Sequence, residues 1–369
     1  FVLAGNLMNE TGITSRLIKF CNLATGHMRG GLAQVSVLLS CLMGGISGSA
    51  TADAAMESRI LGPDMEKKGY SKGFTAAILA MGGLITATIP PSLGLILYGV
   101  TGEVSIGRLF LAGIVPGILM TIVLMFAVSR ISKKRDYAPE REKIATLPEL
   151  LKGLIDNIWA LMFPVILIVG IRFGVFTPSE AGAFAVVYAL FVGMFVYREL
   201  TVKKLIECLA TTAVDLSVIM FIIICSNAFG YAIVTGQLPQ SLASFIVKLS
   251  ENKYVILTIV MLFVFVVGMF MEATANVLLL TPIFLPIIVS YGFDPVHFGI
   301  IYMILITMGG MTPPIGVTMY TTCSILDCPV ETYTKESIPF IAGIIILLIL
   351  LAVFPDLCLF LPNLVYGAA

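Results

Sequence analysis

Charge is scarce in this sequence of 369 residues: Asp, Glu, Lys and Arg make up 12%, about half the share usual in soluble domains. Hydrophobic residues make up 58% and the mean hydropathy is +1.02. So little charge cannot keep so apolar a chain in water, which excludes a soluble enzyme, a nucleic-acid binder and a disordered protein. Net charge is +0, so no overall field favours a partner of either sign. Histidine is nearly absent. His27 and His297 have no second His, Cys or acid at metal-ligand spacing. The seven cysteines, Cys21, Cys41, Cys208, Cys225, Cys323, Cys328 and Cys358, form no CxxC, which suits buried apolar thiols rather than zinc or a disulfide framework. HExxH and GxSxG are missing as well, which argues against an intramembrane protease or hydrolase. No signal-peptide pattern appears. Phe1–Met8 reads as the end of an apolar span, so further sequence is expected before it.

What the chain has instead is long apolar runs. Full spans are predicted at 74–100, 109–128, 158–175, 181–197, 213–233, 298–326 and 338–361. Two regions differ. Residues 32–66 and 254–289 each hold two short apolar arms around a centre rich in Gly, Thr and Ala. Arms of about 12–15 residues are too short for a core of about 30 Å. Each pair therefore suits a re-entrant helical hairpin, whose non-helical tip must sit in protein or a wet cavity.

Basic residues orient this map. If the loop 130–143, with Lys133, Lys134 and Arg135, is cytoplasmic, 18 of the 22 Lys and Arg fall inside. Only Arg108, Arg172, Lys248 and Lys253 fall outside. That is the positive-inside bias, and it requires one hairpin to enter from inside and the other from outside. Thr14–Thr25 and Leu238–Leu249, each preceding a hairpin, are amphipathic and predict interfacial bracing helices. Trp159, beside Lys152 and Asp156, predicts an interfacial anchor, and Arg172 an anchor or a docking contact.

The two hairpin regions match at a fixed offset of 223 residues. Gly45 pairs with Gly268, Ala50-Thr51-Ala52 with Ala273-Thr274-Ala275, Asp53 with Asn276, and Pro90-Pro91 with Pro313-Pro314. Pro63 and Pro116 pair with Pro286 and Pro339. Copies that start on opposite sides form an inverted-topology repeat, a layout of secondary transporters. The expected fold is therefore an all-α polytopic membrane protein. Residues 1–129 form a first repeat (hairpin 32–66, broken helix 74–100), residues 130–204 a basic cytoplasmic loop and two connecting scaffold helices, and residues 205–369 a second repeat (hairpin 254–289, broken helix 298–326).

Each Pro-Pro pair breaks a span and frees backbone carbonyls. Carbonyls and hydroxyls are hard, neutral oxygens that suit Na⁺. Half-helix N-termini suit a carboxylate. Two or more Na⁺ sites are expected, with ligands among Ser47, Gly48, Thr86, Thr88 and Pro90 in the first repeat and Gly268, Gly309, Thr312, Pro313 and Gly316 in the second. An anionic substrate is expected between the tips, contacting Ser49, Thr51, Asp53, Ser92, Glu272, Thr274, Asn276 and Thr318. Asp53 and Glu272 stand out as acids within the bilayer. Either also suits a helix cap, Asp53 especially, and the Ser47–Ala50 stretch also suits close helix packing. No organic cofactor is expected.

These motifs resemble a known family. Gly44–Asp53, Ile89-Pro90-Pro91-Ser92, Gly309–Gly316 and the opening Ala4-Gly5-Asn6-Leu7-Met8 are similar to the large membrane subunit of TRAP (tripartite ATP-independent periplasmic) transporters, over essentially the whole chain. The resemblance implies an elevator-type, Na⁺-driven importer of organic acids such as sialic acid or C4-dicarboxylates, in the bacterial inner membrane. It implies two protein partners, a small four-helix membrane subunit and a periplasmic substrate-binding protein, besides the lipid bilayer. Nucleic acid is not an expected partner. Family members normally begin with further transmembrane sequence. A self-sufficient ion-coupled anion carrier of related fold is the alternative reading, and an intramembrane enzyme the minor one.

Overall fold

The computed structural model describes residues 2–236 and 252–367, so the expected brace Leu238–Leu249 lies outside the described residues. Those described form α-helices joined by short turns, with one π-helical turn at Val192–Val196 and no strand among them. Lipid leaves the backbone no partner but itself, and helices satisfy it locally.

The first third builds α1 (Val2–Glu10), the amphipathic α2 (Ile13–Thr25), and a hairpin of α3 (Gly31–Gly44) and α4 (Ala50–Lys67). The broken span follows as α5 (Lys72–Thr88) and α6 (Leu93–Thr101), bent by 45°. Next comes α7 (Ile106–Arg135). It carries Lys133, Lys134 and Arg135 in its last turn, so half of the expected basic loop is helix. Cations there oppose the negative end of the dipole. The middle contains α8 (Leu147–Asp156), α9 (Ile158–Arg172), α10 (Pro178–Phe191) and α11 (Val202–Thr235). α8 is an amphipathic segment bent by 67° from α9. Its capping box joins Thr146 and Glu149, and the backbone N–H of Thr146 holds the Glu149 carboxyl below the usual range.

The last third repeats the first. A second hairpin joins α12 (Lys253–Gly268) to α13 (Ala273–Ser290). A second broken span joins α14 (Pro295–Gly309) to α15 (Val317–Ile325), and α16 (Val330–Val353) and α17 (Asp356–Tyr366) close the chain. The predicted span 338–361 is thus two helices, because Phe354 precedes Pro355 and is pushed out of helical geometry. α4 and α13 share both boundaries at the 223-residue offset (273 − 50 and 290 − 67). α5 and α14 start 223 apart (295 − 72), each behind a capping side chain, Ser71 and Asp294. The second arm of each hairpin has 18 residues, longer than expected, about 27 Å at 1.5 Å per residue.

α5 and α14 are the centre of the bundle. Every residue from Gly73 to Thr88 and from Val296 to Gly309 is buried. α5 packs against α3, α4, α7 and α16, and α14 against α5, α7, α12 and α13. α11 is the opposite case, with Val214, Val218, Phe221 and Ile224 exposed. An apolar face of that kind is stable only against lipid or another membrane helix. Trp159 is exposed at 40% and stacks near Tyr188 and Phe191. Arg172 sits 5.2 Å from the ring of Tyr366, so its contact is within the chain.

Several charged side chains pair across long sequence separations. Arg16 pairs with Glu199, Lys204 with Glu10, Arg29 with Asp136, Lys68 with Glu140, Lys72 with Asp327, and Arg135 with Glu336. Every one of these pairs joins residues that the sequence map expects on the same, basic side.

Candidate functional site

Both hairpin tips and both helix breaks meet at one place. A cavity of about 150 Å³ is lined by Gly48, Ser49 and Thr51 of the first tip and by Glu272 and Thr274 of the second. Ser92 and Gly94 come to it from the first break, and Gly310 and Thr318 from the second. It adjoins a larger cavity of about 430 Å³ that shares Ser49, Leu93, Glu272 and Thr274. The tips therefore end inside the bundle beside each other.

Local sequence makes the first tip. Gly48 has φ +64°, and a Cβ there would lie 2.3 Å from the Pro91 carbonyl oxygen. Only glycine lets the tip approach the first break so closely. Ser49 then caps α4, accepting from the Ala52 N–H at 3.5 Å. Ser92 caps α6 through Leu95 and donates to the Ala87 carbonyl at 2.6 Å, bridging the break. The second tip is held by backbone. The Gly316 N–H donates to the Met269 carbonyl at 3.0 Å, and a Cβ on Gly309 would lie 2.7 Å from Gly268 Cα. Thr51 and Thr318 share a 2.8 Å hydrogen bond, which ties the first tip to the second break.

Of the eight expected substrate contacts, Ser49, Thr51, Ser92, Glu272, Thr274 and Thr318 line the smaller cavity. Asp53 and Asn276 stand behind it, each buried one turn into its helix. The two acids, each expected as a substrate contact or a helix cap, take different roles. Asp53 caps nothing: it is fully buried, with Oδ1 accepting from Ser47 at 2.5 Å and Oδ2 unpartnered. Glu272 is the cap. It is exposed and accepts from the N–H groups of Thr274 and Ala275 at 2.7 and 3.3 Å.

Among the expected cation ligands, Ser47 and Gly48 reach a cavity wall. Thr86, Thr88 and Thr312 are buried behind it, their hydroxyls donating to the carbonyls of Ser40, Leu84 and Gly309. A hydroxyl that donates keeps lone pairs for a cation. Pro90, Gly268, Gly309, Pro313 and Gly316 also lie outside the walls of these two cavities. The fit to a cation is best beside Ser47, where the unpartnered Asp53 Oδ2 supplies a carboxyl oxygen.

Two further acids were not anticipated. Glu57, one turn beyond Asp53 in α4, is 1% exposed, accepts from Ser40 at 2.8 Å and leaves Oε2 unpartnered. Asp215 of α11 lines the larger cavity. It accepts from Asn6 Nδ2 at 3.1 Å, and Asn6 also donates to Thr212 at 3.0 Å. An acid in the middle of an apolar run, as in Val214-Asp215-Leu216, was the available signal for Asp215.

The family model of the tripartite ATP-independent periplasmic transporter, DctM component, matches residues 1–357. The sialic acid TRAP transporter large permease protein SiaM of Vibrio cholerae is 39% identical over 367 residues, 100% of this chain and 86% of that protein. The C4-dicarboxylate TRAP transporter large permease protein DctM of Pseudomonas aeruginosa is 36% identical over 366 residues, covering 98% and 84%. The 2,3-diketo-L-gulonate TRAP transporter large permease protein YiaN of Escherichia coli is 36% identical over 361 residues, covering 97% and 84%.

Proposed function

The chain belongs to the DctM component family of tripartite ATP-independent periplasmic transporters, and from that premise we propose that it imports a small organic acid in symport with Na⁺. It is a multi-pass membrane permease and not an enzyme. The observation that carries the proposal is the meeting of two hairpin tips and two helix breaks at one cavity. Half-helix N-termini there offer N–H groups to a carboxylate, and the buried oxygens of Ser47 and Asp53 offer a cation site.

The reading has five further parts. The two repeats are inverted in the membrane, supported by the recurrence of helix boundaries and by ion pairs confined to one side. The hairpins and broken helices travel together as an elevator against a scaffold of the connecting helices. A small four-helix subunit covers the exposed scaffold face, and a periplasmic binding protein delivers the acid. The membrane is the bacterial inner membrane. The substrate is of the sialic acid or C4-dicarboxylate type that relatives are named for.

Proteoliposomes holding the permease, its small subunit and its binding protein test this with radiolabelled sialic acid and succinate. Accumulation of one of them should require a Na⁺ gradient and vanish when K⁺ replaces Na⁺. Undiminished uptake on a proton gradient alone would sink the coupling. Equal uptake without the binding protein would turn the reading to a self-sufficient carrier.

A further inference from the structure

Resting on that reading, we propose that the substrate carries one carboxylate and, at its far end, hydroxyl or amino donors, and that Asp215 selects it.

The larger cavity has two unlike walls. On one side is the first hairpin tip, where α4 begins at the neutral cap Ser49 and carries its acid, Asp53, one turn in and hydrogen-bonded by Ser47. Its first N–H groups and dipole end attract an anion. The second tip cannot serve equally, because Glu272 already occupies the N-terminus of α13 with its own carboxylate.

The other wall is made by α1 and α11, and it is rich in acceptors. Asp215 offers about four lone-pair sites and spends one on Asn6. Asn6 has two amide hydrogens, and Asp215 and Thr212 take both, so what Asn6 has left is its oxygen. The buried Oδ1 of Asn9, another lining residue, has no partner. Among the described lining residues there is no Lys or Arg.

Charge then decides orientation and class. A carboxylate at the Ser49 end is favoured. A second carboxylate at the far end would meet Asp215 with no cationic side chain in the lining to offset it. Hydroxyl or ammonium hydrogens at that end would instead satisfy Asp215 and the two Asn oxygens. A polyhydroxylated or amino-bearing monoacid fits both walls, and a simple dicarboxylate fits one.

Calorimetric titration of the permease with its small subunit in nanodiscs avoids selection by the binding protein. The probes are D-gluconate and succinate, each in NaCl and in choline chloride. Wild type should bind gluconate in NaCl at least about tenfold more tightly than succinate, the worth of one charge-assisted hydrogen bond. Asp215→Asn should weaken gluconate by about tenfold and leave succinate within about twofold. Asp215→Lys should reverse the preference, and should that variant misfold, the Asp215→Asn ratio decides. Na⁺-dependent binding of succinate as tight as that of gluconate overturns this inference and leaves the symport reading standing. So does an Asp215→Asn variant with an unchanged ratio. Binding of neither acid in either salt overturns both.

Discussion

The second arms of the two hairpins share boundaries, length and an Ala-Thr-Ala start, yet the two tips spend their polar residues in opposite ways. The first keeps its N-terminus neutral at Ser49 and buries its acid one turn deeper at Asp53, beside Ser47. The second puts its acid at the N-terminus, as Glu272, and buries the neutral Asn276, which donates to the Met271 carbonyl. Matching helix boundaries thus carry two different sets of polar side chains. On the proposed reading, the first tip receives the anion and its Asp53 carboxyl serves the cation. The second neutralises its own dipole. Inserting a charge into the wrong copy should be the most damaging way to test this.

Asn276→Asp makes the second hairpin like the first without giving it a Ser47. The new carboxyl would face the Met271 carbonyl, with no donor, in a fully buried position. An unsatisfied buried group of this kind costs on the order of 3 kcal/mol. Thermal unfolding in detergent should show a fall of many degrees and reduced yield. The converse change, Asp53→Asn, keeps an oxygen for Ser47 and should cost under about 1 kcal/mol, while Na⁺-driven uptake collapses. An Asn276→Asp protein as stable as wild type would mean the two tips are interchangeable.

A smaller effect separates the tips by shape. Gly48 and Met271 are matched at the 223-residue offset (271 − 48). Gly48→Ala puts an L-residue at φ +64° and a methyl against Pro91. The conformation alone costs about 1–2 kcal/mol. Uptake should fall at least about tenfold, because relieving the clash moves the tip off the break and a misplacement of about 1 Å is that damaging. Met271→Ala, at a half-buried position, should change stability by less than about 1 kcal/mol. Parallel melting curves and uptake rates check the pair, and equal losses would remove the distinction.

How much of this was legible in the sequence follows from where each signal lives. The hairpins, the breaks and the repeat are written in local patterns: short apolar arms, Gly-rich centres and Pro-Pro at one spacing. Local rules decide such features, and the helix boundaries recur at that spacing in the second arms and in the starts of the central helices. Asp215 carried a local signal, an acid within an apolar run, but its partner Asn6 lies 209 residues away, and no local rule brings α1 to α11. Glu57 escaped for another reason. It begins the polar run Glu57-Ser58-Arg59, which reads as a helix leaving the bilayer. The structure turns Glu57 and Ser58 inward and Arg59 outward, the ordinary result of a 100° step per residue. The difference in roles between Asp53 and Glu272 was hidden at a finer scale still, since a shift of four residues along a helix start separates a cap from a buried acid.

Glu272→Gln is the mildest probe of the comparison and the most specific. Gln keeps an oxygen for the N–H groups of Thr274 and Ala275, so the cap survives and only its charge goes. The lost charge–dipole attraction is worth about 0.3–1 kcal/mol, a shift of a few degrees in melting temperature. Neutralising Glu272 also leaves the α13 terminus as open as that of α4 and removes a like charge from the anion's surroundings. Two unit charges about 10 Å apart in water interact by roughly 0.4 kcal/mol, a factor of about two in affinity. Binding of gluconate should therefore tighten by about that factor, and succinate should gain somewhat more because both its ends are anionic. The gain should shrink at high ionic strength, as an exposed charge is screened. Weaker binding of both acids would assign Glu272 a direct contact with the substrate. The self-capped second tip would then be the receiving end, and the order of the two hairpins in this comparison would have to be reversed.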